Sequence, residues 1–218
     1  MTGEQRDAAY ALCEAGRTLF AHGLTPGTSG NLSVRFDGGY LMSPTNATLA
    51  ALVPERLSVL DARGEHVGGD APTKERELHL ALYAARGDAR AIVHVHSAHA
   101  VALSCLRDVD PDDVLEPLTP YALMRVGRLV LAPYARPGSA ALAAAVASVA
   151  ERSGAILLAN HGPLFAGSSL PAALAAVIEI EEAAKVQLLL RGCDVRPLSA
   201  AQIRELRDAV SPAPRNRV

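Results

Sequence analysis

The chain is short of lysine, of cysteine and of long unbroken apolar runs, and each shortage excludes something. Of its 21 basic residues only Lys74 and Lys185 are lysines, so imine chemistry has two candidates. The three cysteines, Cys13, Cys105 and Cys193, are odd in number and far apart, which suits small buried hydrophobes in a reducing compartment better than a disulfide framework. The longest stretch without Asp, Glu, Lys or Arg, 153–178, is broken by Asn160-His161-Gly162-Pro163 and Gly167-Ser168-Ser169, so no continuous apolar run approaches the length that crosses a bilayer, and the charged start Met1–Asp7 lacks an apolar signal-peptide core. A cytoplasmic protein is expected. With a net charge of only −2 there is no basic field to draw nucleic acid or an anionic membrane, and the expected partner is a small molecule.

What is present is enough for one folded unit. The 218 residues are 50% hydrophobic and 20% charged, with no internal repeat and no linker long enough to divide them, so a single domain over residues 1–218 is expected. Ala8, Leu12, Ala15, Leu19 and Phe20 recur at helical spacing over residues 4–22, with Gly23 as the stop. A glycine-rich loop, 26–31, leads to a strand at 32–35, a Gly38-Gly39 hairpin turn and a strand at 40–42, with another strand at 57–61. Helices are expected at 73–86, 98–106, 139–151, 170–190 and 199–210, strands at 91–96, 129–132, 155–159 and 164–166, and an ordered loop at 107–120. The pattern predicts a mixed α/β sandwich with a largely antiparallel sheet.

The chemistry concentrates in the histidines. In Ala91-Ile92-Val93-His94-Val95-His96 the alternation of a strand sends His94 and His96 to one face and Val93 and Val95 to the other. Glu75, on the preceding helix, and His161, ending another apolar strand, would complete a three-histidine, one-carboxylate metal site. His79, four residues after Glu75, is the rival ligand on the same helix face, while His22, His66 and His99 read as structural. Three neutral imidazoles and one carboxylate around Zn²⁺ leave a net charge near +1, which favours a developing enolate.

Gly27, Thr28 and Gly30 can present successive backbone N–H groups, and with Asn31 they form a candidate anion nest. Thr73 and Lys74, at an expected helix start, add free N–H groups and a full charge beside Glu75, so that an anion site and a metal site would adjoin. Lys74 as an imine nucleophile would need a depressed pKa that Glu75 and Glu77 oppose. Lys185 reads as the partner of Glu181, one helical turn away, and Tyr121 either donates a proton or packs.

The motifs Gly27–Arg35, Ser43-Pro44-Thr45, Pro72–Glu75, His94-Val95-His96 and Asn160-His161-Gly162 together resemble the class II aldolase/adducin family over most of the chain. The resemblance implies a three-layer α/β/α sandwich, zinc on Glu75, His94, His96 and His161 with Mn²⁺ or Co²⁺ as substitutes, and substrate phosphate among Thr28, Asn31, Asn46, Thr73 and Lys74. It also implies a homotetramer with sites at subunit interfaces. Lys74 and Asn46 stand where the family's fuculose-phosphate aldolases have serine and glycine, and the tail 211–218 lacks those enzymes' tyrosine. Segments 103–106, 110–111, 119–127 and 133–138 are more similar to the family's 3-oxo-tetronate 4-phosphate decarboxylases. The implied activity is therefore decarboxylation to dihydroxyacetone phosphate and CO2 through a metal-stabilised enediolate, with Glu75 handling the proton, Tyr121 as a candidate acid and Tyr121 with Arg125 near the leaving carboxylate. The alternative is a sugar-phosphate aldolase.

Overall fold

The computed structural model describes residues 2–210; the tail at 211–218 lies outside them. The first helix, α1 (Gly3–Ala21), starts on a capping box in which Thr2 Oγ1 accepts from the Gln5 N–H and the Gln5 side chain accepts from the Thr2 N–H. It leads into β1 (Asn31–Phe36), β2 (Gly39–Met42), β3 (Ser58–Asp61), β4 (His66–Gly68), α2 (Arg76–Ala85), β5 (Ala91–His94) and α3 (Ala98–Ser104). After an irregular stretch and a π-turn at Ala122–Val126 come β6 (Leu129–Ala132), α4 (Ala140–Ala150), β7 (Ala155–Leu158), β8 (Gly162–Gly167), α5 (Leu170–Leu189) and α6 (Ala200–Val210).

The strands form one mixed sheet of order β4-β3-β2-β1-β5-β8-β7-β6, parallel only between β6 and β7. Side chains alternate across it and split the core into two layers. Ala91, Val93 and Val95 join Leu12 and Leu19 of α1 and Val177 of α5 on one face. Ile92 joins Leu78 and Leu82 of α2 and Val146 of α4 on the other. Helix α3 and the π-turn add to the α5 face through Leu103, Ala122 and Ile180. Among the described residues no helix is long and apolar enough to cross a membrane.

The structure corrects several details of the sequence reading. The hairpin turn is Asp37-Gly38, since Phe36 pairs with Gly39; Gly39 lies inside β2, where a Cβ would sit 2.0 Å from the Leu60 carbonyl oxygen of β3. Strand β4 was not anticipated. Helix α2 begins at Arg76 rather than Thr73 because Pro72 forms a β-bridge with Pro44 and the Thr73 N–H bonds the Ser43 carbonyl, holding 72–75 as a turn against 43–45. The loop before Pro120 is tied down by backbone bonds from Val114 to Leu129 and from Leu131 to Pro111.

Candidate metal centre

Three chain segments meet at one end of β5. Strand β5 ends at His94, but Val95 N–H still bonds the Pro163 carbonyl, so the extended path continues and His96 falls on the same side as His94. His161 lies in the turn between β7 and β8, after Asn160 in the left-handed region at φ 57°. Gly162 follows at φ 145°; a Cβ there would meet the Val95 carbonyl oxygen at 2.5 Å, so only glycine lets this turn close on the His96 segment. Glu75 caps α2, its carbonyl accepting the first helical N–H groups from Leu78 and His79.

The four side chains converge. Nε2 of His94 lies 3.0 Å from Nε2 of His96 and 3.3 Å from Nε2 of His161, and the last two nitrogens are 3.1 Å apart. Glu75 Oε2 is 3.4 Å from His94 Nε2, and Glu75 Oε1 is 3.5 Å from His161 Nε2. Glu75, His94 and His161 are buried and His96 is half-buried. Burial pushes the imidazole pKa values of all three histidines down, with their mutual repulsion adding to it at His94 and His96, so each is held in the neutral form that ligates metal.

This set fits a divalent cation. His94 Nδ1 lies 2.9 Å from the Pro163 carbonyl oxygen, which can only accept, so the ring proton sits on Nδ1 and Nε2 offers a lone pair to the centre of the triangle. Three nitrogens in mutual contact cannot all be satisfied by protons from one another, and Glu75 Oε1 is buried with no hydrogen-bond partner. A tetrahedral Zn²⁺ with bonds of about 2.05 Å places neighbouring nitrogens about 3.3 Å apart, close to the spacing found.

His79 is not a ligand. It is fully buried with Nε2 2.5 Å from Asn31 Oδ1 and Nδ1 2.7 Å from Ser33 Oγ, so both ring nitrogens are taken. Asn31 in turn donates from Nδ2 to Glu75 Oε2 at 2.8 Å. Of the phosphate candidates, Thr28, Asn46 and Lys74 are exposed, while Asn31 and Thr73 are buried and Thr73 Oγ1 accepts from the Glu75 N–H. The Pro44–Pro72 bridge draws the Asn46 turn to Thr73 and Lys74, and the pairing of Asn31 with His94 brings in the Thr28 loop.

Tyr121 is 55% exposed and lies under the Arg125 guanidinium, which pairs with Glu179 of α5. It forms no hydrogen bond with Glu75 or the histidines, and its segment packs on the α5 face, opposite α2. Glu181 is not the partner of Lys185, which approaches Glu182; Glu181 is buried and accepts from the first backbone N–H groups of α3, at His99 and Ala100, and from His99 Nδ1. Sequence reasoning missed Ser33 and Tyr83 behind His79, although Glu75, His79 and Tyr83 repeat every four residues along one helix face.

Residues 10–188 match the family described as Class II Aldolase and Adducin N-terminal domain. The chain is similar to 3-oxo-tetronate 4-phosphate decarboxylase of Haemophilus influenzae, at 44% identity over 196 residues, covering 89% of this chain and 93% of that one. It is also similar to L-fuculose phosphate aldolase of the same organism, at 36% identity covering 83% of each. The solved structure of YgbL from Klebsiella pneumoniae superposes with a TM-score of 0.90 at 42% identity, covering 93% of this chain and 99% of that one. With its α/β/α layers and near full-length similarity, the chain belongs to the class II aldolase/adducin family.

Proposed function

We propose that the protein is a zinc-dependent decarboxylase that converts a 3-oxo-tetronate 4-phosphate to dihydroxyacetone phosphate and CO2. Geometry supports the metal and similarity supports the reaction. The observation that carries decarboxylation over aldol cleavage is the margin between 44% identity over 196 residues to a decarboxylase and 36% over 183 to an aldolase.

The substrate is a β-keto acid. When its C1–C2 bond breaks, CO2 leaves and the electron pair passes towards the C3 carbonyl oxygen, giving the enediolate of dihydroxyacetone phosphate; one proton at C2 completes the product. A zinc ion on Glu75, His94, His96 and His161 supplies a Lewis acid for that developing negative charge, and Mn²⁺ or Co²⁺ would serve the same nitrogen-rich set. Glu75 handles the proton through Oε1, the oxygen left without a partner. Lys74, Thr28 and Asn46 bind the phosphate from the exposed rim, with Thr73 and the remaining Asn31 N–H at its buried edge. Tyr121, on the far face from α2 and open to solvent, donates its hydroxyl to the leaving carboxylate in the site of a neighbouring copy, with Arg125 beside it for the same group. That reading requires an oligomer, taken as a tetramer, in the cytoplasm.

The test is to incubate the purified protein with a 3-oxo-tetronate 4-phosphate and, separately, with dihydroxyacetone phosphate plus aldehydes. CO2 released one-for-one with dihydroxyacetone phosphate is the expected result. Carbon–carbon bond formation without CO2 release would make it an aldolase instead.

A further inference from the structure

A line of buried side chains runs from Glu75 into the core. Asn31 Nδ2 lies 2.8 Å from Glu75 Oε2, Asn31 Oδ1 is 2.5 Å from His79 Nε2, His79 Nδ1 is 2.7 Å from Ser33 Oγ, and Ser33 Oγ is 2.9 Å from the Tyr83 hydroxyl. Ser33, His79 and Tyr83 have at most 1% of their surface exposed. None of the three has a ligand or substrate role assigned above.

The chemistry of each group fixes the direction of every bond. A carboxylate only accepts, so Asn31 turns its amide N–H to Glu75 and its carbonyl to His79. That carbonyl can only accept, so the His79 proton sits on Nε2. Burial lowers the His79 pKa to about 3, leaving the ring neutral with a lone pair on Nδ1. Nδ1 therefore accepts the Ser33 hydroxyl proton. The Ser33 oxygen then accepts from Tyr83, whose phenol burial keeps protonated. Four successive donations point the same way, from Tyr83 to Glu75, and each bond orients the next group. An amide stands in the middle, so the line orients Glu75 and does not conduct protons to it. It grips Oε2 and leaves Oε1 free.

We propose that Ser33, His79 and Tyr83 are positioning residues that, through Asn31, lock Glu75 in the orientation in which it binds metal and handles the proton. This rests on the reading of Glu75 given above and extends it to residues that touch neither metal nor substrate.

The test compares the full-length parent with Ser33→Ala, Tyr83→Phe, His79→Gln and His79→Leu. Zinc dissociation is measured by chelator competition without substrate, and kcat and KM are measured on zinc-saturated protein. Ser33→Ala is expected to hold zinc about 10–100-fold more weakly and to lose a similar factor in kcat, with KM changed by no more than about twofold. His79→Gln, which keeps an N–H to aim at Asn31, is expected to hold zinc better than His79→Leu. Tyr83→Phe, which removes only the first donor, is expected to show the same pattern to a smaller extent. A packing role alone would lower thermal stability and leave zinc affinity at the parental value. Parental zinc affinity in folded Ser33→Ala, or equal affinity in the two His79 variants, would overturn the proposal; should the leucine variant not fold, Ser33→Ala and Tyr83→Phe decide it. A parent that binds zinc but releases no CO2 would sink the functional reading and leave the zinc comparison standing.

Discussion

Glu75, His94 and His161 have lost nearly all contact with solvent, whereas Thr28, Asn46 and Lys74, drawn towards them by the same loops, remain exposed. The difference sets how each half of the site works. Buried ligands are oriented by the fold before any ligand arrives: Pro163 fixes the His94 ring, Asn31 fixes Glu75, and glycine at 162 lets the His161 turn close. Exposed rim groups act in high dielectric and, as the proposed phosphate site, would gain their geometry only when a phosphate brings them together. Substitutions in the buried half should therefore act on metal and kcat, and those on the rim on KM.

The largest expected effect is at the ligands. His94→Gln removes a nitrogen that nothing nearby can replace, and activity should fall about 10⁴-fold with loss of stoichiometric zinc by metal analysis. Glu75→Gln should cost about 10³-fold in kcat while inorganic phosphate still competes with substrate as in the parent. Tyr121→Phe should lower kcat about 10–100-fold. Mixed oligomers of Tyr121→Phe and Glu75→Gln subunits should recover activity that neither variant has alone, provided the two groups serve one site from different copies. Lys74→Met should raise KM about tenfold, leave kcat near the parental value, and flatten the salt dependence of kcat/KM. An equal loss of kcat in Lys74→Met and Glu75→Gln would erase the distinction between the halves.

The smallest effect concerns stability. Burial holds the folded His79 pKa at about 3, against 6.5 for an ordinary histidine, so the unfolded chain binds the extra proton first as pH falls. The stability it contributes is complete above pH 6.5 and is lost as pH falls from there towards 3, by at most about 1.4 kcal/mol per pH unit. Thermal midpoints measured from pH 7 down to pH 5 should decline, and decline less steeply in His79→Gln.

Much of this was legible in the sequence where chemistry and periodicity coincide. The β-branched run that alternates with His94 and His96 predicted both the strand and the convergence of the two rings. Long-range contacts decided the rest. Glu181 and Lys185 have the spacing of a surface ion pair, but the N-terminus of α3, some eighty residues earlier in sequence, claims the carboxylate. The start of α2 moved three residues because Pro72 pairs with Pro44. His79 and Glu75 share one helix face, and it is Asn31 and Ser33 on β1 that take both His79 ring nitrogens and leave Glu75 facing the candidate metal centre. Strand β4 is three residues at the sheet edge, too short to carry an alternation.

The most direct test follows CO2 release from a 3-oxo-tetronate 4-phosphate by the intact protein, by chelator-stripped protein, and by stripped protein given back one equivalent of Zn²⁺. The account predicts full release, almost none, and recovery in that order. Undiminished release from protein shown to be free of metal would contradict it.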